Sequence, residues 1–351
     1  MTLYRNAIVK TRGTSDAIQA WRYVFVLKES IVKYTFHFSN QGGLSMKIAV
    51  IGPGSMGLLF GGKLSQNAEV ILIGHNAAHI HTINSDQVTI KRDGQAQTYK
   101  VPAFTNGTAD GPADLIILFT KAYITRQALR ENAQLIGANT VILTLQNGAG
   151  HEEILQEFVP RDRILLGTTN QGSYRESTSV IVHSGLGETT IGSLTGNESL
   201  CETVRSLFSS SGFPCTISHN IRFTVWNKLM INASSSVLSG VLAVRQGYVA
   251  SDPPSWEICR DLIREICRTA ALEECIFDEE EQIERIRRHL ENAPDGYTSI
   301  YADLRNGRKT EVDFISGHVV RTAEKHGLSV PVQKCIVRMV HAIENRERPS
   351  V

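Results

Sequence analysis

The sequence predicts an α/β chain, with an N-terminal Rossmann-type dinucleotide-binding domain followed by an all-helical C-terminal domain. Three observations predict it. The stretch KIAVIGPGSMG, Lys47 to Gly57, passes from an apolar run of strand type into a GxGxxG turn and then into Leu58-Leu59-Phe60. Unbroken apolar runs of strand length follow at 115–119 (LIILF) and 141–145 (VILTL), the kind that lie buried in a parallel sheet. From Ile221 onward the apolar residues fall at helical spacing almost throughout.

Composition narrows the function classes. At 351 residues the chain can hold two domains, each with its own core. Lys and Arg number 36 against 35 Asp and Glu, a balance that suggests neither a nucleic-acid nor an anionic-membrane partner. No apolar run is long enough to span a bilayer. The six cysteines form no CxxC pair and have no His set at zinc spacing, so they read as reduced core thiols of a cytoplasmic protein, with no metal. Residues 1–45 carry six basic side chains against Asp16 and Glu29 and read as an extension outside the fold, which would begin at Met46. An organelle presequence is the alternative reading of that basic leader.

The elements follow in order. After the strand from Lys47, Gly52 permits the tight turn, Gly54 lets backbone approach a pyrophosphate, and Gly57 lets the helix (Leu58 to Gln66) pack close to the strand. The helix N-terminus then faces two phosphates with free N–H groups. A second strand, Glu69 to Ile73, completes βαβ order and runs into Gly74-His75-Asn76. An NAD-specific site of this type holds an acid there for the ribose hydroxyls; His75 and Asn76 lean instead toward NADP. Gln87–Ile90 and Gln97–Val101 read as a hairpin around an Asp93-Gly94 turn. The strand ending at Phe119 delivers Lys121 into the crevice where ligands bind, and the strand ending at Leu145 delivers Asn147. A helix from His151 to Phe158 follows. Short strands at Ile164–Thr168, Ser179–His183 and Thr189–Ile191 and a helix from Glu198 to Ser211 close the first domain near His219.

The second domain opens on a helix holding Lys228 and Asn232 at i and i+4, both projecting from one face. Ser235 and Ser236 continue near that face, and such a polar strip is costly to bury unless it meets water or a polar ligand. Asp252-Pro253-Pro254 reads as a loop. A helix from Glu257 to Glu274 is expected to bury Ile258, Leu262, Ile266 and Ala270, and a charged helix from Glu279 to Glu291 to lie outermost. Glu311 is expected in the first turn of a helix running through Phe314, where the helix dipole favours a carboxylate.

Together the motifs resemble the ketopantoate reductase family. The carrying residues are KIAVIGPGSMG, FTKAY around Lys121, LQNG around Asn147, GTTNQGSYR from Gly167, VWNKLMIN around Lys228, TSIYADLRNGRKTEVDFISG around Ser299 and Glu311, and HGLSVPV near the end. They run in family order from Lys47 to about Met339. The resemblance implies NADPH-dependent reduction of 2-dehydropantoate to pantoate, with an NADP-binding domain at 46–219 and a substrate domain at 220–345. Lys228 resembles the family's catalytic lysine, which hydrogen-bonds the 2-oxo oxygen and delivers its proton. Asn232 and Ser299 match substrate-holding positions, and Ser236 is expected at a further one. Gly52, Pro53, Gly54, Ser55, Met56, Gly57, Lys121, Asn147 and Ser173 match the cofactor side, where His75 is also expected, and Glu311 matches a glutamate that contacts active site and cofactor ribose. Two positions depart from the pattern: His75 stands where an arginine is often seen, and Ser236 where some members carry a second asparagine. A related reductase of another 2-oxo acid and a non-catalytic NADP-binding sensor are the alternatives, the latter disfavoured because a sensor needs no proton donor. A small-molecule substrate and a possible homodimer complete the expectation.

Overall fold

The computed structural model describes residues 46–346; the extension expected at 1–45 lies outside the described residues. Among the described residues twelve strands occur in chain order: β1 (Lys47–Ile51), β2 (Glu69–Gly74), β3 (Val88–Arg92), β4 (Gln95–Tyr99), β5 (Ala103–Thr105), β6 (Leu115–Leu118), β7 (Val141–Thr144), β8 (Ile164–Thr169), β9 (Gly172–Arg175), β10 (Val180–Gly185), β11 (Thr189–Ser193) and β12 (Cys215–Ile217).

Eight of them form one sheet in the order β12-β11-β8-β7-β6-β1-β2-β5. From β5 to β8 every pairing is parallel, with β1 between β2 and β6; β11 reverses direction against β8. The chain therefore leaves β1 to one side for β2 and returns to its other side for β6, and the carboxyl ends of β1, β2 and β6 frame the switch-point crevice where such sheets bind ligands. The strand sequences KIAVI, LIIL and VILT show why these residues adopt this place. Being apolar on both faces, they gain from burial on both, roughly 1.5–3 kcal/mol per large side chain. Helix Ser55–Leu64 covers one face through Leu58, Leu59 and Phe60, and Phe60 stacks on Phe213 at 4.1 Å between ring centroids.

A second sheet, β4-β3-β10-β9, packs against the same helix. Its hairpin turns on Asp93-Gly94, and the strands sit about the turn with Arg92 opposite Gln95. The strands thus reach closer to the turn than the expected Gln87–Ile90 and Gln97–Val101. Strands β5, β9 and β12, three or four residues each, are too short to leave a periodicity in the sequence.

From Ile221 the described chain is helical around a separate core that includes Trp226, Met230, Ile263 and Val340. Helix Pro253–Ala271 begins earlier than expected: Asp252 caps it by accepting from Ser255 N at 3.0 Å, and the prolines occupy its first turn, where no N–H is needed. Its apolar face is Cys259, Leu262, Ile263, Ile266, Cys267 and Ala270, whereas Ile258 points to solvent. All six cysteines are free, and five are buried as expected; Cys335 is exposed. No helix among the described residues is long and apolar enough to cross a membrane, and no group of three or more His, Cys, Asp or Glu there could hold a metal ion.

Candidate active site

The glycine turn leaves β1 through Gly52, whose φ of +103° is closed to most side chains; a Cβ there would lie 2.6 Å from the Thr120 nitrogen. A Cβ on Gly57 would run into the Gly52 carbonyl, so the helix can seat this close to the strand only with glycine at that position. Gly54 is the N-cap of helix Ser55–Leu64 and offers no side-chain cap, leaving the first-turn N–H groups to an outside acceptor. A Cβ built on Gly54 meets no described atom within 4 Å. Open space before an uncapped helix N-terminus fits the pyrophosphate of a dinucleotide. The cleft in front of it has a volume of about 580 Å³ and is lined by Gly52, Pro53, Gly54, His75, Lys121 and Arg175 among others.

At the far end of β2, His75 is exposed and Asn76 caps helix Ala77–Asp86 by accepting from His79 N at 2.9 Å. No acid directly follows β2 in the chain, and the nearby carboxylate of Glu131, which lines the same cleft, accepts from Asn106 and Gln127. At the end of β6, Lys121 donates to Asp303 Oδ2 at 2.6 Å and lies 3.6 Å from Glu311 Oε2. Burial disfavours its charge, but the Glu311 and Asp303 carboxylates outweigh burial and hold its pKa above the usual lysine value. Glu311 is buried, and burial raises its pKa against the opposing pull of Lys121 and of the Ala122 N–H, which donates to Oε1 at 3.0 Å.

Glu311 does not lie in the first turn of an α-helix as expected. It precedes a single 3-10 turn, Val312–Phe314, and the next α-helix begins at Ser316. Its carboxylate instead serves the N-terminus of the short 3-10 turn Ala122–Ile124 in the sheet-bearing part. The loop of Asn147 meets the same region, with Ala149 N donating to the Phe314 carbonyl at 2.9 Å. Gln146 ties the neighbouring strand ends together through Thr120 O at 2.7 Å and Thr125 Oγ1 at 2.9 Å.

Lys228 lies on helix Ile221–Ile231, and its Nζ donates to the carbonyl of Thr169 at the end of β8, 2.6 Å away. Burial lowers its pKa to about 8, with Glu311 pulling the other way. The helix does not end after Lys228: residues Asn232–Ser236 form a π-turn before α-helix resumes at Val237–Leu242. Such a bulge widens the helix and re-aims its side chains, and π-bulges recur at functional sites. The hydroxyls of Ser234 and Ser235 donate back to Met230 O and Ile231 O, so these serines are satisfied within the helix and Ser235 does not extend an open polar strip. Thr298 joins this turn to the start of helix Ser299–Arg305, its hydroxyl donating to Ser236 O at 3.2 Å. Ser236 and Ser299 are thereby brought to adjoining segments.

The predicted residues thus gather in two connected groups. Gly52, Pro53, Gly54, His75 and Lys121 line the cleft; Ser173 joins them from β9, donating to Met56 Sδ at 3.1 Å. Lys228, Asn232, Ser236, Ser299 and Glu311 belong to the helical part, and Glu311 links the groups through Lys121. Asn147 is not among the residues that line the cleft. Sequence reading missed Asp303 and Arg175. Asp303 sits inside the quoted motif around Ser299, but its pairing with Lys121 spans 182 residues and leaves no local signal.

Two family models match the chain, "Ketopantoate reductase PanE/ApbA" over residues 48–196 and "Ketopantoate reductase PanE/ApbA C terminal" over residues 220–344. The chain is similar to the 2-dehydropantoate 2-reductase of Halobacterium salinarum, 32% identical over 299 residues that cover 84% of this chain and 98% of the relative. Among solved structures it resembles a ternary complex of D-mandelate dehydrogenase with NADH and anilino(oxo)acetate, at a TM-score of 0.81 and 30% identity over 86% of this chain and 99% of that one. A putative 2-dehydropantoate 2-reductase from Enterococcus faecalis matches at a TM-score of 0.70 and 30% identity, covering 85% of this chain and 98% of that one.

Proposed function

The chain belongs to the ketopantoate reductase family, and on that premise we propose that it reduces 2-dehydropantoate to pantoate with NADPH, using Lys228 as the proton donor. The observation that carries the reading is the Lys228 ammonium, lowered to a pKa of about 8 and set where the helical part meets the end of β8. We assign coenzyme binding to residues 46–219 and substrate binding to 220–345.

NADPH, when bound, supplies the hydride that reaches the carbonyl carbon. The chain's own groups do the rest. The first-turn N–H groups of helix Ser55–Leu64 would hold the pyrophosphate, and Lys121, Asn147, Ser173 and Glu311 would border the remainder of the coenzyme. As the carbonyl carbon gains the hydride, negative charge develops on its oxygen. Lys228 Nζ stabilises that charge and passes its proton to the oxygen, becoming a neutral amine that solvent reprotonates. A donor with a pKa near the working pH loses its proton more readily than an ordinary lysine. Asn232, Ser236 and Ser299 would offer hydrogen bonds to the polar ends of the substrate. The absence of an acid after β2 supports NADPH over NADH.

A related 2-oxo acid is the second reading, favoured by Ser236 and by the likeness to D-mandelate dehydrogenase. The test is loss of reduced-nicotinamide absorbance, NADPH against NADH, with 2-dehydropantoate against a panel that includes the phenyl 2-oxo acid from which mandelate would form. Turnover restricted to 2-dehydropantoate with NADPH is expected; preference for another 2-oxo acid would move the assignment to the second reading.

A further inference from the structure

Arg175 ends strand β9 of the second sheet, outside the parallel sheet that frames the cleft. Its Nη2 donates to the carbonyl of Pro53 in the glycine turn at 2.8 Å, and its side chain lines the cleft beside His75, Asn76 and His79. The Pro53 carbonyl is a neutral acceptor; among the described residues no carboxylate pairs with this guanidinium. The adjoining segment is pinned as well, since His79 Nε2 lies 3.0 Å from the carbonyl of Thr178. Glu131 also lines the cleft, but its carboxylate accepts from Gln127 and Asn106. Burial first, and then the positive charge of Arg175, push the His79 pKa down.

We propose that Arg175 is the residue by which this chain distinguishes NADPH from NADH, its guanidinium taking the adenosine 2′-phosphate beside His75. The inference rests on the reading that the cleft holds a nicotinamide dinucleotide with its adenosine ribose at the end of β2. A guanidinium presents a planar fork of donors that suits a phosphate and gains nothing comparable from the ribose hydroxyl of NADH. An imidazole at position 75 offers no such fork of donors, and Arg175 reaches the same wall from a different strand.

The test is equilibrium binding, followed by coenzyme fluorescence or calorimetry, of NADPH, NADH, 2′,5′-ADP and 5′-AMP to the full chain and to its Arg175→Met and Arg175→Lys variants. Methionine keeps an aliphatic stem over the cleft wall and removes the charge. The expected result is a rise of about 10- to 100-fold in the Kd of NADPH and 2′,5′-ADP for Arg175→Met, with NADH and 5′-AMP within about threefold of the unaltered chain. Arg175→Lys should recover part of the loss. Equal weakening of all four ligands would overturn the proposal and make Arg175 an anchor of the Pro53 turn. An NADPH preference that survives Arg175→Met would overturn it too. If the unaltered chain binds NADH as tightly as NADPH, the failure lies with the NADPH reading itself.

Discussion

In the proposed reduction Lys228 is the proton donor, and its environment sets a pH dependence. A proton donor acts in its protonated form. With its pKa lowered by burial to about 8, kcat/KM for the reduction should be level below about pH 8 and fall as pH rises above it. A pH–rate profile checks this, and a rate that rises through pH 8 would mean that Lys228 acts in its neutral form. Lys228 was legible as a candidate through the VWNKLMIN motif and its family resemblance, since a helix face shared with Asn232 fits a solvated strip equally well. The partners that tune the site were less so. Asp303 and Arg175 both fall inside the quoted motifs but were assigned no role, because what they touch lies far away in sequence: Lys121 for one, the Pro53 carbonyl for the other.

At the scale of elements, the glycine turn is where sequence and structure agree most closely, since steric limits act locally. Gly57→Ala tests that closeness. Its Cβ would meet the Gly52 carbonyl, so either the helix or the turn must shift, at a cost of about 1–3 kcal/mol. The expected outcome is a lower Tm together with weaker coenzyme binding; an unchanged Tm and Kd would show that the close approach carries no weight. The π-turn at Asn232–Ser236 and the displacement of Glu311 from an α-helix to a 3-10 turn were not legible. Each meets a group far away in sequence: Thr298 donates to Ser236 O at the end of the first, and the Glu311 carboxylate before the second accepts from Ala122 N. Helix Pro253–Ala271 is a different case, since Asp252-Pro253-Pro254 carries a start signal in plain view.

At the scale of the whole molecule, the sheet and the helices meet through charged and polar groups at the site: Lys121 with Asp303 and Glu311, Lys228 with Thr169 O, and the Glu311 carboxylate with Ala122 N. Asp303→Asn would leave Lys121 and Arg308 without one shared carboxylate. A fully buried pair broken this way costs about 3–5 kcal/mol, but the Lys121 side chain is 35% exposed and that of Arg308 56%, so solvent reduces the loss to about 1–2 kcal/mol. A shift of the urea midpoint measures it. Lys91→Ala, at a surface pair with Glu176, is the control and should move stability by less than about 1 kcal/mol. Equal shifts in the two variants would contradict a structural role for the Asp303 link.

The central claim, that a lysine on the helical part protonates a substrate carbonyl reduced from the cleft of the sheet, is tested most directly by single-turnover oxidation of NADPH in the Lys228→Ala variant with 2-dehydropantoate. The account predicts a rate lower by about 10²–10⁴-fold, with the Kd of NADPH within about twofold of the unaltered chain. A near-normal rate in that variant would contradict it.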